Sequence, residues 1–210
     1  MALTTRFEAA LALAAWLHAD QVRKGTEIPY LAHLLSVAGI ALDYGADEDE
    51  AIAALLHDAV EDQGGEDVLA RIRSRFGSGV AEIVLACSDT TVTPKPPWCE
   101  RKTAYVAHVA MALPSARPVS AADKLHNARS ILADFDGLER DGWTRFTGGR
   151  DGTLWYYRAL VGAFRAGSDD EAGEVCSVRL AALIDELDRV VSAIEERAGV
   201  RGGDLRPCDS

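Results

Sequence analysis

Apolar residues recur along this chain at three- and four-residue spacing, the period of one helix face. Between Leu3 and Gln21 the stripe runs through Phe7, Ala10, Leu11, Ala14 and Leu17. Tyr30 to Tyr44 repeats it and stops at Gly45. Asp47 to Val60 opens with acidic residues, which suit the positive end of a helix dipole. Further helices are predicted over Glu66 to Phe76, Gly79 to Cys87, Glu100 to Leu113, Ser120 to Leu132 and Gly152 to Phe164. A long one is predicted over Asp169 to Ala198, with Leu180, Leu183, Ile184, Leu187, Val190, Val191 and Ile194 as its buried stripe. Val80 to Leu85 has the composition of a buried strand, but its neighbours favour helix, and no run of alternating β-branched residues demands a sheet. The breaks fall at Gly25 to Pro29, at Thr93 to Pro97 and at Trp143 to Gly149. The second cannot be helix interior, because proline lacks the amide donor. With no internal repeat and no linker, the expectation is one all-α domain over residues 1–198 and a frayed polar tail over 199–210.

Composition narrows the class. At 210 residues, with 48% hydrophobic and 26% charged, the chain can bury a core without disulfides or metal staples. There are 22 basic and 33 acidic residues, a net charge of −11. Such a surface repels a polyanion, so no nucleic-acid partner is expected. An anionic small molecule needs a local cation or a few placed Arg and Lys. No stretch reaches about 18 consecutive apolar residues, so no membrane span is expected. The run Ala9 to Leu17 reads as helix rather than export signal. Cys87, Cys99, Cys176 and Cys208 form no CxxC and no compact framework, which predicts reduced thiols and a cytoplasmic protein.

The sharpest chemical signal is Leu55-Leu56-His57-Asp58-Ala59-Val60-Glu61-Asp62. His57 with Glu61, and Asp58 with Asp62, are four residues apart, so an imidazole and three carboxylates crowd the polar end of an apolar helix. Carboxylates this close raise one another's pKa unless a cation sits among them. The competing reading is a solvated acidic helix end with His57 hydrogen-bonded in the core. His33 lies on an otherwise apolar helix, and Asp123 falls on a buried-pattern position within Ser120 to Asn127. Alone, His33 reads as a satisfied core group and Asp123 as a partner of Lys124 or Arg129. Together, His33, His57, Asp58 and Asp123 suit a borderline-hard ion such as Mn²⁺ or Fe²⁺, with positions left for water and substrate. Structural zinc fits poorly, since no cysteine joins the set.

His33, His57-Asp58 and Asp123 resemble the H…HD…D signature of the HD-domain metal-dependent phosphohydrolases. The flanks are more specific. His18-x-x-Gln21-x-Arg23-Lys24-Gly25-Thr26 followed by Pro29-Tyr30-x-x-His33, then Ala54 to Asp62 and Ala122 to Arg129, resemble the hydrolase domain of RelA/SpoT homologues. The likeness runs from Phe7 to Leu132, and less distinctly through Leu154 to Arg158. It implies an HD-domain helical bundle and a stand-alone small alarmone hydrolase. The implied reaction is Mn²⁺-dependent removal of the 3′-pyrophosphate from guanosine tetra- and pentaphosphate. Leu34 stands where the family usually has proline, and His126 where tyrosine or aspartate is commoner. The Thr93 to Pro97 loop does not align, and with His126 it bears on the nucleobase end of the substrate.

Glu61 and Asp62 are the candidate proton-transfer pair, Glu61 nearer the attacking water and Asp62 orienting it or protonating the leaving oxygen. The sequence leaves these two roles open. Asn127, one turn from Asp123, can hold the water or a ribose, and the resemblance also implies an active-site role for it. Arg23-Lys24 offers a fork and a point charge to phosphate, against the competing reading of a basic helix end. Lys102, with Arg101, is a weaker candidate of the same kind. Tyr156 is a candidate for the nucleotide pocket, as is Tyr157, although helix packing explains one of them equally well. His18 reads as a structural partner near the loop, and His108 has no assigned role. Two other functions stay open. One is a broader nucleotide phosphatase acting on adenosine alarmones or a dinucleotide 2′-phosphate, because Arg23-Lys24 reads phosphate and not base. The other is a non-catalytic nucleotide-sensing HD module, against which the intact Glu61-Asp62 pair argues.

Overall fold

A computed structural model describes residues 2–90, 94–135, 142–166 and 174–207. Within them the regular structure is helical: α1 (Thr5–Leu17), α2 (Tyr30–Asp43), α3 (Glu48–Leu56), α4 (Ala59–Gln63), α5 (Gly65–Phe76), α6 (Ser78–Cys87), α7 (Trp98–Ala110), α8 (Ala116–Ala133), α9 (Gly149–Ala166) and α10 (Glu174–Ala198). Short 3₁₀ turns sit at Gly142–Arg145 and Gly202–Asp204. The extended pairing among the described residues is an isolated antiparallel bridge between Val22 and Pro29. The all-α expectation holds, and Val80 to Leu85 is helix. No described helix is long and apolar enough to cross a membrane. Residue 93 of the predicted second break, and 169–173 of the predicted long helix, lie outside the described residues.

Two boundaries differ from the periodic pattern in ways that matter for the site. The first predicted helix ends early: α1 gives way at His18, and Gln21 falls in the following loop. The predicted Asp47 to Val60 helix is interrupted at His57-Asp58, between α3 and α4. Both residues keep right-handed helical dihedrals, and Asp62 N–H still donates to the Asp58 carbonyl at 3.0 Å. The four-residue stacking argument therefore survives the interruption. The start of α3 is set by a capping box, in which Asp47 accepts from Glu50 N–H and Glu50 accepts from Asp47 N–H.

The chain packs as two compact units, residues 1–93 with 113–123 and residues 94–112 with 124–210. In the first, α3 is central and packs against α1, α2 and α6. Ala51 through Leu56 are fully buried, so this helix is apolar all round, as an interior helix should be. His57 and Asp58 are thereby delivered at the end of a rigid element. In the second unit, α9 packs against α7, α10 and the Gly202–Asp204 turn. The predicted stripe of α10 is buried from Leu183 to Ile194, with Leu180 half-buried. Arg158 of α9 clamps α10 by hydrogen bonds to Glu195 (2.7 and 2.9 Å) and Asp188 (2.5 Å).

Candidate metal centre and active site

The loop that leads into the site is built by backbone bonds. Arg23 N–H donates to the Ile28 carbonyl at 2.8 Å and Tyr30 N–H to the Gln21 carbonyl at 2.8 Å. The tip is a turn from Arg23 to Thr26, closed by Thr26 N–H on the Arg23 carbonyl at 3.0 Å. Gly25 sits there with φ of 76°, a conformation that side chains oppose. Pro29, with φ of −54°, then opens α2, and His33 lies one turn along it.

His33 and His57 are each 1% exposed. Their rings meet edge to face at 5.2 Å. His33 Nε2 lies 3.3 Å from Asp123 Oδ1 and 3.6 Å from Asp58 Oδ2. His57 Nε2 lies 3.0 Å from Asp58 Oδ2 and 3.6 Å from Asp123 Oδ1. The four predicted ligands, all in the first unit, are thus brought together from α2, α8 and the α3–α4 junction. His33, His57 and Asp58 meet the spacing of a metal-holding group.

The protons decide whether a cation fits. His57 Nδ1 faces the Ala54 carbonyl at 2.9 Å, and a carbonyl only accepts, so Nδ1 carries the proton. In the neutral ring the Nε2 lone pair then points toward two carboxylates. That atom is buried and has no hydrogen-bond partner among the described residues. A bound cation resolves the clash, and the donor set of two imidazoles and two carboxylates suits one. The separations match ligand atoms about 3 Å apart on an ion with bonds of ~2.1 Å. Without the ion, burial disfavours a charged His57, yet the Asp58 and Asp123 carboxylates win and hold its pKa well above the usual value. Burial pushes Asp58 up, but the His57 charge and the His33 contact outweigh it and hold its carboxyl well below the usual range.

Around these groups lie further partners, some inside the quoted motifs and some beyond them. The Tyr30 hydroxyl donates to Asp58 Oδ2 at 2.5 Å. Burial and the neighbouring Asp58 push the Tyr30 pKa far up, so it stays a donor. Tyr30 stacks on His18, with centroids 5.3 Å apart and planes 18° apart. Asp62 of α4 accepts from Gln21 Nε2 at 2.9 Å. Glu61 accepts from the Asp89 backbone N–H at 3.4 Å. Tyr30, Gln21, Gln63 and Asp89 had no role in the sequence reading. Only the tyrosine and glutamine inside the quoted motif carried any signal.

Arg23 is half-buried and Lys24 exposed on the loop tip. In the second unit, Lys102 of α7 places its Nζ 5.0 Å from the centre of the Tyr156 ring on α9. Tyr156 also meets Trp98 edge to face at 6.2 Å. Asn127 is half-buried on α8, and Tyr157 is buried on α9. The thiols require a correction: Cys87 is a buried thiol outside any disulfide, but Cys99 is disulfide-bonded. Spacing along a chain carries no information on which thiols meet in space.

With this geometry in hand, the class follows from the comparisons. The HD domain family matches residues 10–144, more than half of the chain, and the chain belongs to that family. It is an HD-domain hydrolase. The guanosine-3′,5′-bis(diphosphate) 3′-pyrophosphohydrolase MESH1 of Xenopus tropicalis is 37% identical over 134 residues, 62% of this chain and 70% of that protein. Its Homo sapiens counterpart is 35% identical over 134 residues, again 62% and 70%. Among solved structures, a metazoan ortholog of SpoT, described as hydrolysing ppGpp and playing a role in starvation responses, has a TM-score of 0.65 at 26% identity, covering 89% of this chain and 97% of that one. A Listeria monocytogenes EGD-e protein has a TM-score of 0.63 at 29% identity, covering 78% of this chain and 99% of that one.

Proposed function

We propose that this chain hydrolyses guanosine 3′,5′-bis(diphosphate), releasing the 3′-pyrophosphate, with one Mn²⁺ held by His33, His57, Asp58 and Asp123. The observation that carries the reading is the buried His57 Nε2, its lone pair aimed at carboxylates and without a hydrogen-bond donor among the described residues. The similarity to MESH1 proteins supplies the substrate class. When bound, the ion polarises a phosphoryl oxygen and acidifies water. The rest is done by side chains. Glu61 and Asp62, one turn beyond His57-Asp58, take a proton from the attacking water and return one to the leaving ribose oxygen. Arg23 and Lys24 meet phosphate oxygens with a fork and a point charge. Asn127, Lys102 and Tyr156 remain candidates for nucleotide contact by residue type: an amide, a cation and an aromatic ring. The net charge of −11 leaves these cations and the ion as the main attraction for a polyphosphate. A cytoplasmic location, where such nucleotides are made and consumed, belongs to the same reading.

The test is anion-exchange analysis of products from a nucleotide panel incubated with Mn²⁺. Release of pyrophosphate and a guanosine 5′-diphosphate from the bis-diphosphate, absent in Asp58→Ala, is the expected result. Equal turnover of adenosine alarmones or dinucleotide 2′-phosphates would replace it with a general phosphatase, and binding without turnover with a sensor.

A further inference from the structure

Gln21 stands in the motif beside His18, and the chemistry above gives it no task. Its carboxamide is nevertheless held at both ends. Oε1 accepts from His18 Nδ1 at 2.6 Å and from Gln63 Nε2 at 2.5 Å. Nε2 donates to Asp62 Oδ2 at 2.9 Å. A carboxamide has one accepting and one donating end, so two donors on the oxygen leave only the NH₂ for the carboxylate. Turning the amide over would set NH₂ against two donors and oxygen against a carboxylate. The orientation is therefore unique.

The neighbours of Gln21 are fixed in turn. An amide oxygen only accepts, so His18 carries its proton on Nδ1. His18 is 2% exposed, and burial lowers its pKa, which keeps the ring neutral. Its flat face lies on Tyr30, whose hydroxyl holds Asp58. Gln63 immediately follows Asp62 on α4. The loop glutamine is thus clamped by residues on either side of the site, and its one donating end is spent on Asp62.

We infer that Gln21 is a positioning residue for hydrolysis: it orients the Asp62 carboxylate and holds it as a hydrogen-bond acceptor for the proton-transfer step. This rests on the functional reading above, in which Asp62 belongs to the catalytic pair. It adds the residue that prepares Asp62, carried on a loop that the backbone bond from Tyr30 N–H to the Gln21 carbonyl holds in place.

The experiment is a double-mutant cycle of Gln21→Leu with Asp62→Asn, read under single-turnover conditions with enzyme in excess so that slow variants are measurable. The wild-type protein is first assayed on the nucleotide panel, and its inactivity there would overturn the functional reading itself. With wild-type turnover present, Gln21→Leu should lower the rate by about 10–100-fold, the range for groups that orient a functional residue from outside. KM and metal content should stay near wild type. In the Asp62→Asn background the same substitution should cost nothing further, because the two act as a unit. Gln21→Glu keeps the size, replaces the donor by a second carboxylate, and should lose at least as much. An equal loss in both backgrounds would mark Gln21 as structural and overturn the inference, as would an unchanged rate in Gln21→Leu and Gln21→Glu.

Discussion

Tyr30 touches the candidate metal ligands without joining them. Its hydroxyl gives one hydrogen bond to the same Asp58 oxygen that faces both imidazoles, and its ring lies edge-on to His33 at 5.3 Å. Partners of this kind set the direction of a ligand's lone pair, and their loss typically costs about 10–100-fold in metal affinity. Tyr30→Phe should keep the stacking with His18 and lose that factor, measured by metal titration against a chelator of known affinity. Unchanged affinity would mean that Asp58 is oriented by the imidazoles alone. Lys24 has the opposite character. It is exposed on the turn tip and makes no ion pair or hydrogen bond among the described residues. A charge-assisted hydrogen bond is worth roughly 1.5–3 kcal/mol. Since about 1.4 kcal/mol is a factor of ten, Lys24→Ala should raise KM by roughly 10- to 100-fold. The increase should be larger for a bis-diphosphate than for a nucleoside monophosphate. Steady-state kinetics on both decides it, and an equal small change on both would reduce Lys24 to a solvated loop residue.

Glycine has two distinct meanings in the elements of the second unit. At Gly148, just before α9, an added Cβ would fall 2.5 Å from the Trp98 ring, closer than packed atoms approach. Trp98 begins α7, so the α7–α9 contact depends on that missing side chain. Gly148→Ala should destabilise by about 1–3 kcal/mol, the usual cost of overpacking. Gly162 lies within α9 on its exposed side, and a Cβ there meets nothing within 4 Å. Gly162→Ala should stabilise by about 0.5–1 kcal/mol, because alanine loses less backbone freedom in a helix. Denaturant midpoints of the two variants should therefore move in opposite directions. Movement in the same direction would refute the packing assigned to Trp98.

For the molecule as a whole, the His57–Asp58 cluster ties stability to pH. In the metal-free protein His57 has a raised pKa, so its contribution is complete below the unfolded value of about 6.5 and is lost as pH rises through the folded value. Asp58 is lowered, so its contribution is present above about 3.8 and is lost as pH falls through its depressed value. The chelated protein should be best served by this pair between those limits and should weaken on the alkaline side. An ion needs His57 unprotonated, so its own stabilisation grows with pH. At a hundredfold excess over Kd the ion adds about 2.7 kcal/mol. Thermal denaturation with EDTA and with Mn²⁺ at pH 6 and pH 9 should show a gap that widens toward pH 9. A gap independent of pH would mean that no ion displaces the His57 proton.

The helices were legible because the interactions that make them are local. The stripe from Leu183 to Ile194, the acidic opening of α3 and the proline before α2 act within one or two turns, and each is where the periodicity predicts. The candidate ligand set was legible for a different reason. Few residue types can hold a divalent ion, so His33, His57-Asp58 and Asp123 stand out wherever they lie in the chain. Tertiary structure decided what depends on partners distant in sequence. The end of α1 at His18 follows from loop bonds that no helical period encodes. Gln21 meets Asp62 and Gln63 across more than forty residues, and Trp98 finds Gly148 across fifty. The Cys99 disulfide belongs to the same group. Periodicity records which face of a segment avoids water; which side chains then meet across the core is settled only when the helices pack.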